Sequence, residues 1–359
     1  MTSVDRPDSF FSESPFTIVA DRNTARCWSG RPKVLESLTR LTHGLLRRPD
    51  ASLDIMWANL GAGKTHTLFH LAYLLEGECQ KDTNVVCAFV EMPEQIRNFL
   101  DLYKRIIATL PLDRVADLLS RCPKGDLPDS MSRAANVLRN GGPTEKEIVA
   151  SWMLAERPHL ADLRRCSGIS QRIEDDLVAT DVLCAIVRAF ERNKTRLVLL
   201  IDEFQRIGVL KSGPRSRVLS CLRTVFSRSP RFFSAVLAIQ SMVEQTALEL
   251  IPPELRTLAG RKPAISLPEM DLSEAKEFLC GRFSFFRPIG YVGSATAPFE
   301  ECTVISVLEY LKEEAHVPLS PREILQAFAY VYDQAADLQK GIGSAEGLEL
   351  LGIGYGETQ

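Results

Sequence analysis

The segment Ala58-Asn59-Leu60-Gly61-Ala62-Gly63-Lys64-Thr65 constrains this chain more than any other, because of what flanks it. Ser52-Leu53-Asp54-Ile55-Met56-Trp57 ahead of it reads as a buried strand, and the stretch from about Lys64 to Leu75 reads as a helix. Strand, glycine turn and helix in that order open a βαβ unit, which commits the chain to an α/β fold with a parallel sheet flanked by helices. Further strands are predicted at Asn84–Glu91, Leu197–Ile201, Phe232–Ile239 and near Ala264–Leu267, each rich in apolar residues and separated by helical stretches.

Helices are predicted over about Pro32–Leu46, Gln95–Leu110, Asp175–Asn193 and Arg215–Phe226. Residues 111–175 are cut by Pro111, Pro123, Pro128, Gly141-Gly142-Pro143 and Pro158. They read as a helical insertion, since so long a structureless loop is rare inside a domain. After Glu269 the strands stop. Asp271 with Glu274 spells a capping box, and Ser320-Pro321-Arg322-Glu323 offers an N-cap, a proline at the first helical position and a second box. With helices near Glu300–Glu314 and Pro321–Ala336, residues 270–338 are expected to form a C-terminal all-helical lid domain. The expected organisation is an extended arm over 1–27, an α/β core over 28–269, the helical domain over 270–338 and a flexible glycine-rich tail over 339–359.

A length of 359 residues, 45% of them hydrophobic and 25% charged, suits that organisation and a soluble globular class. No run approaches the roughly 18 apolar residues of a membrane span, and the first residues lack the basic and apolar sections of a secretory leader. Nine scattered cysteines without a C-x-x-C pair point to packed, reduced thiols and a cytoplasmic protein, against disulfides or structural zinc. The net charge of -3 makes no global case for nucleic acid. Locally, Arg206, Lys211, Arg215, Arg217, Arg223, Arg228 and Arg231 occur with no acidic residue between Glu203 and Glu244. Such a field suits contact with DNA phosphates without sequence reading, or is simply a solvated helix face.

The glycines allow the backbone to close around phosphate oxygens, and the helix that starts there directs its N–H groups at the same anion. Lys64 is placed to neutralise the β- and γ-phosphates, and the Thr65 hydroxyl to ligate magnesium. Ala58 stands where glycine is common, which is tolerable if the backbone there is not left-handed. Asp202 and Glu203 end the apolar run Leu197–Ile201. Asp202 is expected to hold hydrated magnesium and Glu203 to polarise the attacking water, or else to cap the following turn. His66 and His70 lie one turn apart, where packing is expected rather than metal binding.

These motifs resemble those of AAA+ ATPases (P-loop NTPases), and within them the Orc/Cdc6-like initiator branch. Two short strings, Gly61–Leu68 and Phe89–Pro93, are also similar to ATPase subunits of bacterial phage-defence and mobile-element systems. The resemblance implies a nucleotide held by residues 58–66 and by Arg31, in a Trp28-Ser29-Gly30-Arg31 box that borders the adenine. It implies a sensor-1 role for Gln240, with Ser241 beside it, and an arginine finger at Arg261 or Arg256. Arg322 matches sensor 2; its place at a helix N-terminus, where the dipole disfavours a cation, is explained by a γ-phosphate or by a surface salt bridge. A finger must reach a neighbour's nucleotide, so a homo-oligomer is implied. The function implied is ATP hydrolysis with Mg2+ that drives assembly or remodelling in a DNA-associated complex of the phage-defence, transposition or initiator kind. A partner effector protein is expected, with the insertion as a docking surface. The alternative is a STAND-like signalling switch that acts on a protein without DNA.

Overall fold

The computed structural model describes residues 10–79, 84–123, 125–259, 263–335 and 342–356. They fall into two compact units: one takes the described residues of 39–58 and 71–266, the other those of 1–38, 59–70 and 267–359.

The first unit is organised by a five-stranded sheet. Its strands are β1 (Ser52–Ala58), β2 (Val85–Glu91), β3 (Arg196–Asp202), β4 (Phe233–Gln240) and β5 (Ile265–Leu267), in the order β2-β3-β4-β1-β5. The pairs β1–β4, β2–β3 and β3–β4 are parallel. Every residue of β3 is buried, as a central strand covered on both faces requires. Because these strands run the same way, Ala58, Glu91, Asp202 and Gln240 all finish at one edge of the sheet. In open α/β sheets that carboxyl edge is where ligands bind.

The helices follow the sequence closely. They are α1 (Pro32–Arg47), α2 (Lys64–Cys79), α3 (Phe99–Thr109), α8 (Asp176–Arg192), α9 (Ser212–Arg228), α10 (Glu244–Glu249) and α11 (Pro253–Ala259). Between α3 and α8 come α4 (Leu112–Ser120), α5 (Asp129–Asn140), α6 (Pro143–Met153) and α7 (Leu160–Ser167). Each begins at or just after one of the prolines or glycines noted above, or at His159. These four helices are not a loosely attached appendage. Leu119, Met131, Leu138 and Trp152 share one buried core with Leu183, Leu199 and Leu237. The Tyr103 hydroxyl donates to the Met153 carbonyl at 2.7 Å, and the Trp152 indole to the Gln171 carbonyl at 2.8 Å. α8 begins where Asp175 accepts from the N–H groups of Leu177 and Val178.

The second unit has its own core, of Leu279, Phe283, Phe299, Val307, Ile324 and Phe328 with Phe11 and Phe16. It is built on α12 (Leu272–Phe286), α13 (Glu301–Glu309), α14 (Pro321–Gln334) and α15 (Ser344–Gly356), with a π-helical turn over Tyr310–Glu314. The Asp271–Glu274 box forms in both directions. At Ser320 only half of the expected box forms: its hydroxyl accepts from the Glu323 N–H, while its own N–H is already bonded to the Pro318 carbonyl. The segment before Trp28 packs into this core: Arg282 donates to the carbonyls of Pro15 and Thr17, and the Ser12 N–H to that of Phe286.

The expectation of a flexible tail does not hold for residues 344–356, which are helical. The glycines misled. Gly347 faces α13, where a Cβ would lie 2.9 Å from the Thr303 methyl, so its small size serves close helix packing; Leu351, one turn on, is fully buried. No described helix is long and apolar enough to cross a membrane.

Candidate functional site

The glycine loop is held by its carbonyl groups. The Asn59 carbonyl accepts from the Ala62 N–H and from Lys64 Nζ at 3.3 Å, and the Gly63 carbonyl from the N–H and hydroxyl of Thr67. The Gly61 carbonyl takes the Arg322 N–H at 3.4 Å, and the Ala62 carbonyl takes Arg31 Nη1 at 2.6 Å. The N–H groups of Gly61 and Gly63 have no acceptor among the described residues. Both glycines have positive φ, 74° and 88°, which L side chains rarely adopt. The loop's carbonyl groups are thus taken within the protein while these two donors are unpaired among the described residues, at the start of the 16-residue helix α2. Ala58, the last residue of β1, is buried and not left-handed, so glycine is not required there. Leu60 is exposed at the loop's tip, Lys64 is buried and Thr65 is the second residue of α2.

The N-terminus of α14 packs directly on this loop. A Cβ at Gly61 would lie 3.1 Å from Arg322 Cβ and 3.2 Å from Ser320 Oγ, and one at Gly63 would lie 3.6 Å from Pro321 Cγ. Among the described residues the Arg322 guanidinium has no carboxylate partner.

Arg31 is buried at 5% exposure, with a φ of 48°. Its Nε and Nη2 are buried without a hydrogen-bond partner. Burial pushes the guanidinium down to about 10, and the Glu274 carboxylate opposes that fall. Arg31, expected in a box that borders the adenine, donates to the loop's own Ala62 carbonyl. His66 Nε2 meets the Cys27 carbonyl at 2.9 Å, and His70 Nδ1 the Ala25 carbonyl at 2.7 Å. The Trp28 ring stacks on His66 with centroids 6.2 Å apart and tilts onto His70 at 4.7 Å. Burial pushes His66 down to about 4, against the Cys27 hydrogen bond, so both histidines serve as backbone fasteners for 25–28.

In the sheet unit, Asp202 is buried at the end of β3, and its Oδ1 accepts the Glu203 N–H at 2.8 Å. Glu203 is left-handed, at φ 57° and ψ 32°, a conformation that costs a non-glycine residue roughly 1–2 kcal/mol. Its Oε2 accepts Gln205 Nε2 at 2.8 Å and lies 3.8 Å from Arg206 Nε. Gln205 Oε1 accepts the N–H of Gln240, the last residue of β4, at 2.8 Å. Arg206 reaches Glu91 at 3.0 Å and also the Met92 carbonyl. The Ser241 N–H donates to the Ala58 carbonyl at 3.0 Å, and the Ser241 hydroxyl turns toward Val243. Sequence reasoning missed Gln205, Arg206 and Glu91 as a group. Only Gln205's place two residues after Glu203 was a signal; the pair Arg206–Glu91 spans 115 positions.

Of the finger candidates, Arg256 donates through Nε to the Ile251 carbonyl at 2.6 Å, while Arg261 lies outside the described residues. The basic segment is less bare than its sequence suggests. Arg206 is paired with Glu91, Arg228 with Asp181, and Arg215 donates to the Glu249 carbonyl. Lys211, Arg217, Arg223 and Arg231 are exposed.

No family model and no curated protein sequence matches the chain. Solved structures do. The Aeropyrum pernix ORC2 protein in ADPNP–ADP complexes superposes with a TM-score of 0.60 at 13% identity, over 96% of this chain and 72% of that one. The ADP form of ORC2 gives a TM-score of 0.57 at 14% identity, over 96% of this chain and 73% of that one. The ORC1 protein of the same organism, in complex with DNA, gives 0.56 at 11% identity, over 96% and 70%. Together with the parallel sheet, the glycine loop after β1 and the acidic pair at the end of β3, this similarity shows that the chain has the P-loop AAA+ fold of those Orc structures.

Proposed function

We propose that the protein is an ATPase that binds and hydrolyses ATP with magnesium. The observation that carries this is the polarised loop: every carbonyl from Gly61 to Gly63 is taken by a donor of the chain, while the Gly61 and Gly63 N–H groups are left for an anion. Lys64 supplies the compensating charge and Arg322 a second cation from α14. Thr65 and Asp202 offer the hard oxygen donors that magnesium takes; the bound ion would neutralise charge on the phosphates. Glu203 orients and polarises the attacking water, and Gln240 reports on the terminal phosphate from the end of β4.

In this reading hydrolysis drives assembly or remodelling of a homo-oligomer in a DNA-associated complex. The exposed cations Lys211, Arg217, Arg223 and Arg231 support DNA contact through phosphates. One ORC1 structure that shares the fold is a complex with DNA. A finger from Arg261 or Arg256 fits the oligomer, and a partner effector docking on the insertion fits a defence or transposition setting.

The experiment is a nucleotide-binding and turnover assay on three forms. Wild type binds and hydrolyses ATP, Lys64→Ala loses binding, and Glu203→Gln binds ATP but turns over at least a hundred-fold more slowly. Retained hydrolysis in Glu203→Gln removes the water-activating role. Duplex binding that ignores salt removes the DNA role and favours a switch acting on a partner protein.

A further inference from the structure

The water-activating role of Glu203 leaves a physical question, because a carboxylate on a flexible stem must be aimed to work as a base. Its backbone is already constrained in the left-handed region, and the side chain has one anchored oxygen. Gln205 Nε2 donates to Oε2 at 2.8 Å, and the opposite end of the same amide accepts the Gln240 N–H at 2.8 Å. These two partners leave the amide no choice of orientation: a carboxylate demands the NH2 end and an N–H demands the oxygen. Arg206 also approaches Oε2, but at 3.8 Å, while it is bound more closely to Glu91 at 3.0 Å. The shorter, aligned contact decides the geometry, and that contact is Gln205. Oε1 of Glu203 has no donor among the described residues, so it is the oxygen that can meet water.

We infer that Gln205 is a positioning residue for the hydrolytic step: its amide fixes one oxygen of Glu203, leaves the other for water, and ties that carboxylate to the backbone of Gln240. The inference rests on the proposed role of Glu203. It also gives a route by which a shift at the end of β4 reaches the base, because the two share one side-chain amide.

The test compares Gln205→Ala and Gln205→Glu with Glu203→Gln, reading kcat and KM for ATP and the affinity for a fluorescent ATP analogue. Gln205→Glu keeps the shape and the acceptor for the Gln240 N–H but sets a carboxylate against that of Glu203. A positioning role predicts kcat lowered about ten-fold in Gln205→Ala and about a hundred-fold in Gln205→Glu, with KM and analogue affinity within two-fold of wild type. A merely structural role predicts the reverse ranking, with the isosteric Gln205→Glu the milder change, and that result overturns the inference. Wild-type kcat in both variants while Glu203→Gln is inactive overturns it too, and leaves the role of Glu203 standing. Full turnover in Glu203→Gln ends both. If Gln205→Glu fails to fold, Gln205→Ala decides alone: an unchanged kcat overturns the inference, and a ten-fold fall at constant KM sustains it.

Discussion

Replacing Arg31 by methionine separates stability from function, and the structure supplies the magnitudes. The guanidinium is buried and sits at about 10, well below the ordinary arginine range, because burial outweighs the attraction of Glu274. At about 1.4 kcal/mol per tenfold change, keeping Arg31 charged at neutral pH costs the folded protein roughly 3 kcal/mol. Against this stands its hydrogen bond to the Ala62 carbonyl, worth about 1.5–3 kcal/mol for a charged donor. Methionine has a similar length and removes both terms. Arg31→Met is therefore expected to leave stability unchanged or raise it, by roughly 0 to 2 kcal/mol in urea unfolding without nucleotide. The Ala62 carbonyl loses its donor, the loop loses one of its fixings, and ATP affinity falls at least ten-fold. The pH dependence has a definite sign. A cation whose folded value is lowered binds its proton less well than in the unfolded chain, so its penalty is full below about 10 and is relieved as the pH rises from there toward the ordinary arginine value. Any stability advantage of Arg31→Met shrinks above pH 10. Loss of more than about 2 kcal/mol with unchanged ATP affinity would refute the reasoning, since it would make Arg31 a structural clamp.

Three further outcomes follow from named groups. Gly61→Ala places a methyl 3.1 Å from Arg322 Cβ at a φ of 74°, so the strain of about 1–2 kcal/mol appears as a tenfold or greater loss of ATP-analogue affinity, with little change in melting. An unchanged affinity would mean that the loop adopts another conformation. Leu351→Ala empties a fully buried position in the second unit's core and is expected to cost about 2–5 kcal/mol in urea unfolding; no cost would show α15 undocked. The double change Arg217→Glu with Arg223→Glu is expected to weaken duplex binding and to lower the slope of affinity against salt by about 0.9 for each phosphate that is no longer neutralised. Arg228→Glu, which breaks the pair with Asp181, is expected to change that slope less.

The strands were legible because the sheet is parallel and covered on both faces, so Leu197–Ile201 is a continuous apolar run and Phe233–Ile239 is interrupted only by Ser234. Loop, capping residues and acidic pair were legible because each is a short string of residues adjacent in the chain. What could not be read is what long separations bring together. Nothing in the basic run announces that Asp181 and Glu91 neutralise Arg228 and Arg206. Nothing around Arg31 announces that its Nη1 donates to the Ala62 carbonyl. The tail failed for a different reason: glycine reports equally on a mobile backbone and on a close helix contact, and only the neighbour of Gly347 distinguishes them.

The loop and the acidic pair use one device. In the loop, Arg31, Lys64, Thr67 and the Arg322 N–H hold the carbonyl groups, and the Gly61 and Gly63 N–H groups are what remains to meet a ligand. At Glu203, Gln205 holds Oε2 and Oε1 is what remains. If the loop binds phosphate and Glu203 polarises water as proposed, the non-reacting atoms are fixed first in both places, which lowers the reorganisation needed when charge develops on the reacting ones. Several of the holding groups lie outside the glycine loop and the acidic pair: those of residues 31, 205 and 322. Variants at these positions should therefore alter binding or turnover while the motif residues themselves stay intact. That makes them a sharper test of the geometry than removal of Lys64, which abolishes binding under many different geometries.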